Sequence, residues 1–245
     1  MAEAAPKTGF EKWQDGLRNS AGDARWDMYD CEVQTAVSEF NRHLGSTPGY
    51  SALDWTLIKA MLWTESGAAH PEWHIKPMQI GVDGDPGMSS LLAPDEGGEI
   101  VLPPGLVGRL SQGTIRSIPA HNIRAGIGYL LLRMANFDHQ SVLAPGSRVE
   151  QVAARAGDSL DRVARNNGST LDIVRGLNPG VNGLQIGQMV KYQKGEVRKL
   201  ITSWRAITTS TIAQRYNGGG DPFYARKLDF ALGLVRNGRS ALCTP

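Results

Sequence analysis

The clearest helical period in the chain runs from Asp54 to Gly67, where Ile58, Met61 and Leu62 form one apolar stripe at ~100° per residue. Glu65 falls in the middle of that stripe. Asp54 stands where a helix takes its N-cap, and Gly67 where it takes a left-handed terminal residue. The spacing predicts a helix that aims one carboxylate at the core side. Upstream, Thr8 to Gly45 reads as mostly helical, with Val33, Val37 and Phe40 stepping by four and three. Ser46 to Tyr50 is a loop. From Gly81 to Pro119 the chain is rich in Gly, Pro and Asp, which predicts loop with at most short turns of helix. A strongly apolar helix follows over His121 to Ala135, capped by Asn122, with Ile123, Ile127, Leu130 and Met134 at helical spacing. Gly126 and Gly128 each cost ~1 kcal/mol inside a helix relative to alanine, which implies close approach by another helix or a ligand.

The texture changes at Ala144-Pro-Gly-Ser147 and changes back after Lys194-Gly195. Between them the pattern predicts a strand over 151–155, a helix opening at Gly157-Asp-Ser-Leu160, a turn at 166–170, a second helix lined by Leu171, Val174 and Leu177, and a strand over 184–192. This is a βααβ unit of a kind that can be inserted into another domain. The expected organisation is mainly α: a discontinuous helical domain, 1–147 with 196–245, interrupted by a small domain at 148–195.

Composition narrows the class. The chain has 245 residues, 41% hydrophobic and 20% charged, enough for one large domain or two smaller ones. No apolar run approaches the ~18 residues of a membrane span. Met1 to Asp15 lacks the basic start, apolar middle and small-residue cleavage site of a secretory signal, which leaves a cytosolic protein, delivery by a dedicated secretion system or by lysis, or a trimmed chain. The net charge is +2, and residues 150–195 carry six basic and four acidic side chains. Neither favours nucleic acid as a partner. Cys31 and Cys243 are too few for a disulfide framework and lack metal-ligand spacing, and whether they pair is open at this stage. Of the five histidines only His70 and His74 stand four apart, and Pro71 between them breaks the helix a metal site would need. No metal and no cofactor are expected.

The chemistry is carried by Glu65. An apolar surround and the negative end of the helix dipole both disfavour a carboxylate, so a protonated acid near neutral pH is expected there. Such an acid is what glycoside cleavage needs, because the leaving sugar oxygen must take a proton. The competing reading is a half-exposed glutamate at a frayed helix end.

The βααβ unit resembles a LysM module along its full length, through Gly157-Asp158-Ser159-Leu160, Leu177-Asn178-Pro179, Leu184 and Gly187-Gln188. The resemblance implies binding of N-acetylglucosamine-containing glycans in a groove formed by Gly157, Asp158, Ser159, Leu177, Asn178 and Pro179. Asp158 and Ser159 serve equally well as helix caps. The outer segments resemble the lysozyme-like lytic transglycosylases, the group that includes goose-type lysozymes. The family's Glu-Ser-Gly stands as Glu65-Ser66-Gly67, its Gly-Leu-Met-Gln-Ile as Lys76-Pro77-Met78-Gln79-Ile80, its Asn-Ile-x-x-Gly-x-x-Tyr-Leu as Asn122-Ile123, Gly126 and Tyr129-Leu130, and its Ala-x-x-Tyr-Asn-x-Gly as Ala213, Tyr216-Asn217 and Gly219. Lys76-Pro77 replaces the usual Gly-Leu, and the Glu65 to Gln79 spacing is shorter than most members show.

The resemblance implies cleavage of peptidoglycan strands by Glu65 as the acid-base, with action in the periplasm or on the cell wall. It implies Ser66, Met78, Gln79, Tyr216, Asn217 and Asn122 as substrate-binding residues, Tyr216 orienting Glu65 and Asn217 lining the floor. Packing for Met78 and helix capping for Asn122 are the competing roles. An immunity or secretion protein is the partner that such delivery would imply. Two alternatives accompany this reading: a hydrolytic muramidase drawing a second acid from Asp83, Asp85 or Glu72, and a wall-binding protein without activity.

Overall fold

The computed structural model describes residues 6–238 and Cys243. The chain is mainly helical and divides into two compact units, Met1–Asn136 with Ile201–Pro245, and Phe137–Leu200.

In the first unit, helix α1 (Gly9–Ser20) is opened by a Thr8 capping box and α2 (Asp30–Leu44) follows a 3₁₀ turn at Ala24–Asp27. Helix α3 (Trp55–Glu65) carries the acid. Three short helices, α4 (Pro86–Leu92), α5 (Gly98–Val101) and α6 (Gln112–Ser117), occupy the Gly/Pro-rich stretch expected to be loop with short turns. Two of them start at signals visible in the chain, Asp85-Pro86 and the Ser111/Thr114 capping box. Helix α7 (Pro119–Met134) begins before Asn122, because Pro119 supplies the first-turn φ and needs no N–H partner there. The expected Asn122 cap is therefore corrected: Ile118 is the capping residue and Asn122 lies inside the helix.

Beyond α7, strand β1 (Ala135–Leu143) leads into the second unit. That unit holds β2 (Glu150–Ala153), α8 (Leu160–Asn166), α9 (Leu171–Leu177) and β3 (Met189–Tyr192). Strands β2 and β3 pair antiparallel, Glu150 opposite Tyr192 and Ala153 opposite Met189. The order is βααβ, closed over a core of Ala154, Val163, Ala164, Val174, Val190 and Tyr192. The last strand starts at Met189 rather than Leu184, because Gln185–Gln188 form a turn in which Gly187 takes φ +83°. Strand β4 (Gly195–Trp204) pairs with β1 and returns the chain to the first unit. These two strands, unforeseen in the sequence, make the second unit wider than the expected 148–195. Helices α10 (Thr209–Arg215) and α11 (Tyr224–Asn237) complete the first unit. Cys31 and Cys243 form a disulfide, their Cα atoms 5.3 Å apart.

Helix α3 is the buried centre of the first unit. Residues Leu57 to Trp63 are all buried, and its main packing partner is α11. Even Lys59 is enclosed: its ammonium donates to Asp27 at 2.6 Å and Asp30 at 2.8 Å. Trp63 donates its indole N–H to the Trp26 carbonyl at 3.1 Å. Gly67 ends the helix at φ +68°, where a Cβ would also lie 2.6 Å from the Trp26 ring. These anchors give the end of α3, and so Glu65, one position.

Candidate active site

Glu65 opens onto a cleft of about 240 Å³ that it shares with Gln79, Asp85, Tyr129, Tyr216 and Asn217. All belong to the first unit. Burial is the main cause that raises the Glu65 pKa from 4.5 to about 7. The charges of Asp85 and Asp221 push the same way, and a hydrogen bond from Tyr224 together with the Lys227 charge opposes them. Near neutral pH Glu65 therefore holds a proton that it can give up and take back.

The hydroxyl that touches Glu65 is that of Tyr224, which donates to Oε1 at 2.5 Å. Tyr216, the residue expected to orient Glu65, instead donates to the Met78 carbonyl at 3.1 Å. The reason is placement. Tyr224 starts α11, the helix packed along α3, whereas Tyr216 caps α10 and lies against Tyr129, with ring centroids 5.4 Å apart and planes tilted by 51°. Burial holds both phenols well above their usual pKa of 10, so both act as neutral donors.

Removing the Tyr224 donor takes away a contact that favours the ionised acid. Tyr224→Phe is expected to move the Glu65 titration upward from about 7, shifting the alkaline limb of a pH–rate profile to higher pH. An unchanged limb would mean that the hydrogen bond does not control the acid.

The segment 76–81 supplies Met78, Gln79 and Ile80 to the same cleft. Ser66 donates to the Pro77 carbonyl at 2.8 Å, tying the end of α3 to this segment. Gln79 sits at φ +52°, the one non-glycine residue with positive φ among the described residues, and its side-chain amide donates to the Lys76 carbonyl at 2.9 Å. Such backbone strain persists only where surrounding contacts enforce it.

Here the enforcing group is Asn122. It is fully buried, accepts from the Met78 N–H at 2.9 Å, and donates to the carbonyls of Ile80 at 2.9 Å and Ile115 at 3.0 Å. Asn122 was expected among the substrate-binding residues; its side chain is spent on backbone and has no exposed face. Met78 is likewise buried, and it explains Gly126: a Cβ there would lie 2.7 Å from the Met78 Cβ. The close approach implied by the helix glycine is thus made by a loop side chain.

Of the three second acids considered, Asp85 lines the cleft; Asp83 is exposed and Glu72 pairs with Lys76 at 2.7 Å. Both Asp85 oxygens are engaged, Oδ2 by the Gly81 N–H and Oδ1 by the Gly87 N–H, each at 2.7 Å. Asp221 was not foreseen. Burial alone would raise its carboxyl, but hydrogen bonds from Lys227 at 2.6 Å and from the Phe223 N–H at 2.8 Å outweigh it, and the pKa falls below 3.8. Asn217 accepts from the Asp221 N–H at 3.0 Å, so it shapes the 217–221 turn while lining the cleft.

In the second unit a hollow of about 300 Å³ is lined by Asp158, Ser159, Asp161, Arg175 and the segment 181–184. Ser159 caps α8, accepting from the Arg162 N–H at 3.2 Å, and Asp158 accepts from the Arg155 N–H at 2.8 Å. Gly157, Leu177, Asn178 and Pro179 do not line it. Asn178 instead joins α9 to β3 through Lys191, at 3.0 Å to its N–H and 2.7 Å to its carbonyl.

Among the described residues no group of three or more His, Cys, Asp or Glu side chains is gathered around a possible metal position, and no helix is long and apolar enough to cross a membrane. No protein-family profile, curated protein sequence or solved structure matches this chain.

Proposed function

We propose that the chain is a lytic transglycosylase that cleaves the β-1,4 bond between N-acetylmuramic acid and N-acetylglucosamine in peptidoglycan. In this reading a lysozyme-like helical domain holds the acid and the βααβ unit is a LysM-type glycan anchor. The observation that carries it is Glu65: a carboxyl held protonated up to about pH 7, at the end of a buried helix, opening onto a cleft that Gln79, Asp85 and Asn217 also line.

The chemistry follows from one group. Glu65 gives its proton to the bridging oxygen as the C1–O bond breaks, and the substrate's acetamido oxygen stabilises the electron-poor C1. Glu65, now a carboxylate and held by the Tyr224 hydroxyl, takes the proton of the muramic C6 hydroxyl while that oxygen closes on C1. The proton inventory balances, and the product is a 1,6-anhydro sugar. A pKa near 7 suits a group that must act as acid and then as base. The site of action is then the periplasm or the cell wall.

Asp85 supports a second reading, hydrolysis with water activated by a second carboxylate, because it shares the cleft with Glu65. Two backbone N–H groups already occupy its oxygens, which weighs against a free base. Mass spectrometry of digested peptidoglycan separates the two: anhydromuramic ends are expected, and reducing muramic ends as the main product would replace this reading with the hydrolytic one.

A further inference from the structure

A second pocket in the first unit lies between α1 and the start of α11, with a volume of about 720 Å³, within the ~300–1,000 Å³ usual for ligand sites. Its wall is aromatic. The rings of Phe10 and Phe223 stack with centroids 5.5 Å apart and planes 18° apart, and Trp13 lies 6.2 Å from Phe10. Phe223 is 42% exposed. Two cations cover these rings: the Arg226 guanidinium is 4.4 Å from the Phe10 centroid and 5.6 Å from that of Phe223, and the Lys227 ammonium is 5.6 Å from Trp13.

The charges are committed unequally. The Glu11 carboxylate caps α1, accepting from Thr8 N at 2.7 Å and Thr8 Oγ1 at 2.9 Å. Lys227 is paired with Asp221. Arg226 pairs with no carboxylate among the described residues; it is an exposed residue whose guanidinium lies over the Phe10 ring and within reach of the Phe223 ring. Such a group is pre-organised to grip a carboxylate through two parallel N–H bonds. One lining residue links the pocket to the acid: the Lys227 charge acts on Glu65, and Lys227 lies on the same helix as Tyr224, whose hydroxyl touches Glu65.

We propose that this pocket binds the acidic peptide stem borne by the muramic acid of the glycan, with Arg226 seating a stem carboxylate and the Phe10, Trp13 and Phe223 rings packing against its aliphatic part. The proposal rests on the peptidoglycan-cleaving reading above. It makes the enzyme sensitive to the substituent on the sugar as well as to the glycan.

The test compares kcat/KM of the full chain on stem-bearing glycan strands and on strands stripped of peptide by an amidase. The wild type is expected to favour stem-bearing strands. Arg226→Gln is expected to lower the ratio of the two rates about tenfold, and Arg226→Lys to lower it less, because charge is kept and the planar fork is lost. A structural fault would lower both rates together and leave the ratio alone, so an unchanged ratio in Arg226→Gln overturns the proposal. A wild type that cleaves stripped strands as well as stem-bearing ones also overturns it and leaves the cleavage reading standing. A wild type that cleaves neither removes both.

Discussion

Glu65→Gln is expected to lose lytic activity by ~10³-fold or more while gaining stability above neutral pH. The first half follows from the proposed mechanism, in which one carboxyl supplies both proton transfers; an amide of the same shape supplies neither. Zymography and product analysis on purified peptidoglycan measure it, and activity that survives at the wild-type level would mean that Glu65 is not the acid-base. The second half is independent of any substrate. The folded chain holds the Glu65 proton up to about pH 7, whereas the unfolded chain releases it near 4.5. The contribution of Glu65 to stability is therefore fully present below pH 4.5 and lost as pH rises through 7.

Glutamine carries no charge to bury and can still accept from Tyr224. At pH 8 the variant should be more stable than wild type by about 1–3 kcal/mol, and at pH 4.5 the two should converge. Thermal melts at the two pH values check this, and parallel curves would mean that the carboxyl is not held in its acid form. A site that costs stability where it is ionised is the trade expected of a catalytic acid.

Asn122→Ala is expected to destabilise the first unit by about 3–5 kcal/mol, lowering Tm by roughly 10 °C. The side chain closes three bonds to backbone: Met78 N–H, Ile80 C=O and Ile115 C=O. All three sit in the fully buried surround of Asn122, so truncation strands each of them with a cost of ~1–3 kcal/mol, lessened where water enters the space. Activity should fall as well, because the 78–80 segment lines the cleft with Glu65 and holds Gln79 at its positive φ. A substrate contact behaves otherwise: its loss raises KM and leaves Tm alone. Differential scanning calorimetry beside steady-state kinetics therefore tells the two roles apart, and an unchanged Tm would refute the structural one. Asn122→Asp is a sharper variant, since its second oxygen would face two carbonyls that need a donor.

The sequence motif Asn122-Ile123 thus marks the site without touching it, and the same division runs through the other residues. Periodicity was enough for α3, with Asp54 accepting from the Thr56 N–H at 2.9 Å and Gly67 left-handed, because caps and stripes are local properties of one turn or two. It was enough for the βααβ order of the second unit for the same reason. Strands β1 and β4 escaped because each is stabilised by the other, some sixty residues away, and neither carries a local signal of its own. The short helices α4 and α6 carry cap signals, Asp85-Pro86 and Ser111/Thr114, that a composition reading as loop masked.

What the chain determined by itself was the position of one acid on an apolar stripe and the helical character around it; the burial that raises its proton affinity was one of two readings the stripe allowed. What only the tertiary structure decided was who the partners of that acid are. Tyr224 rather than Tyr216 meets Glu65, Asp85 and Asp221 add their charges to it, and Asn122 turns inward to hold Met78 and Ile80. The physical reason is range. Capping and amphipathicity act within a turn or two of helix, whereas a hydrogen bond across 159 residues of chain depends on how α11 lies along α3, a packing geometry that no local spacing encodes.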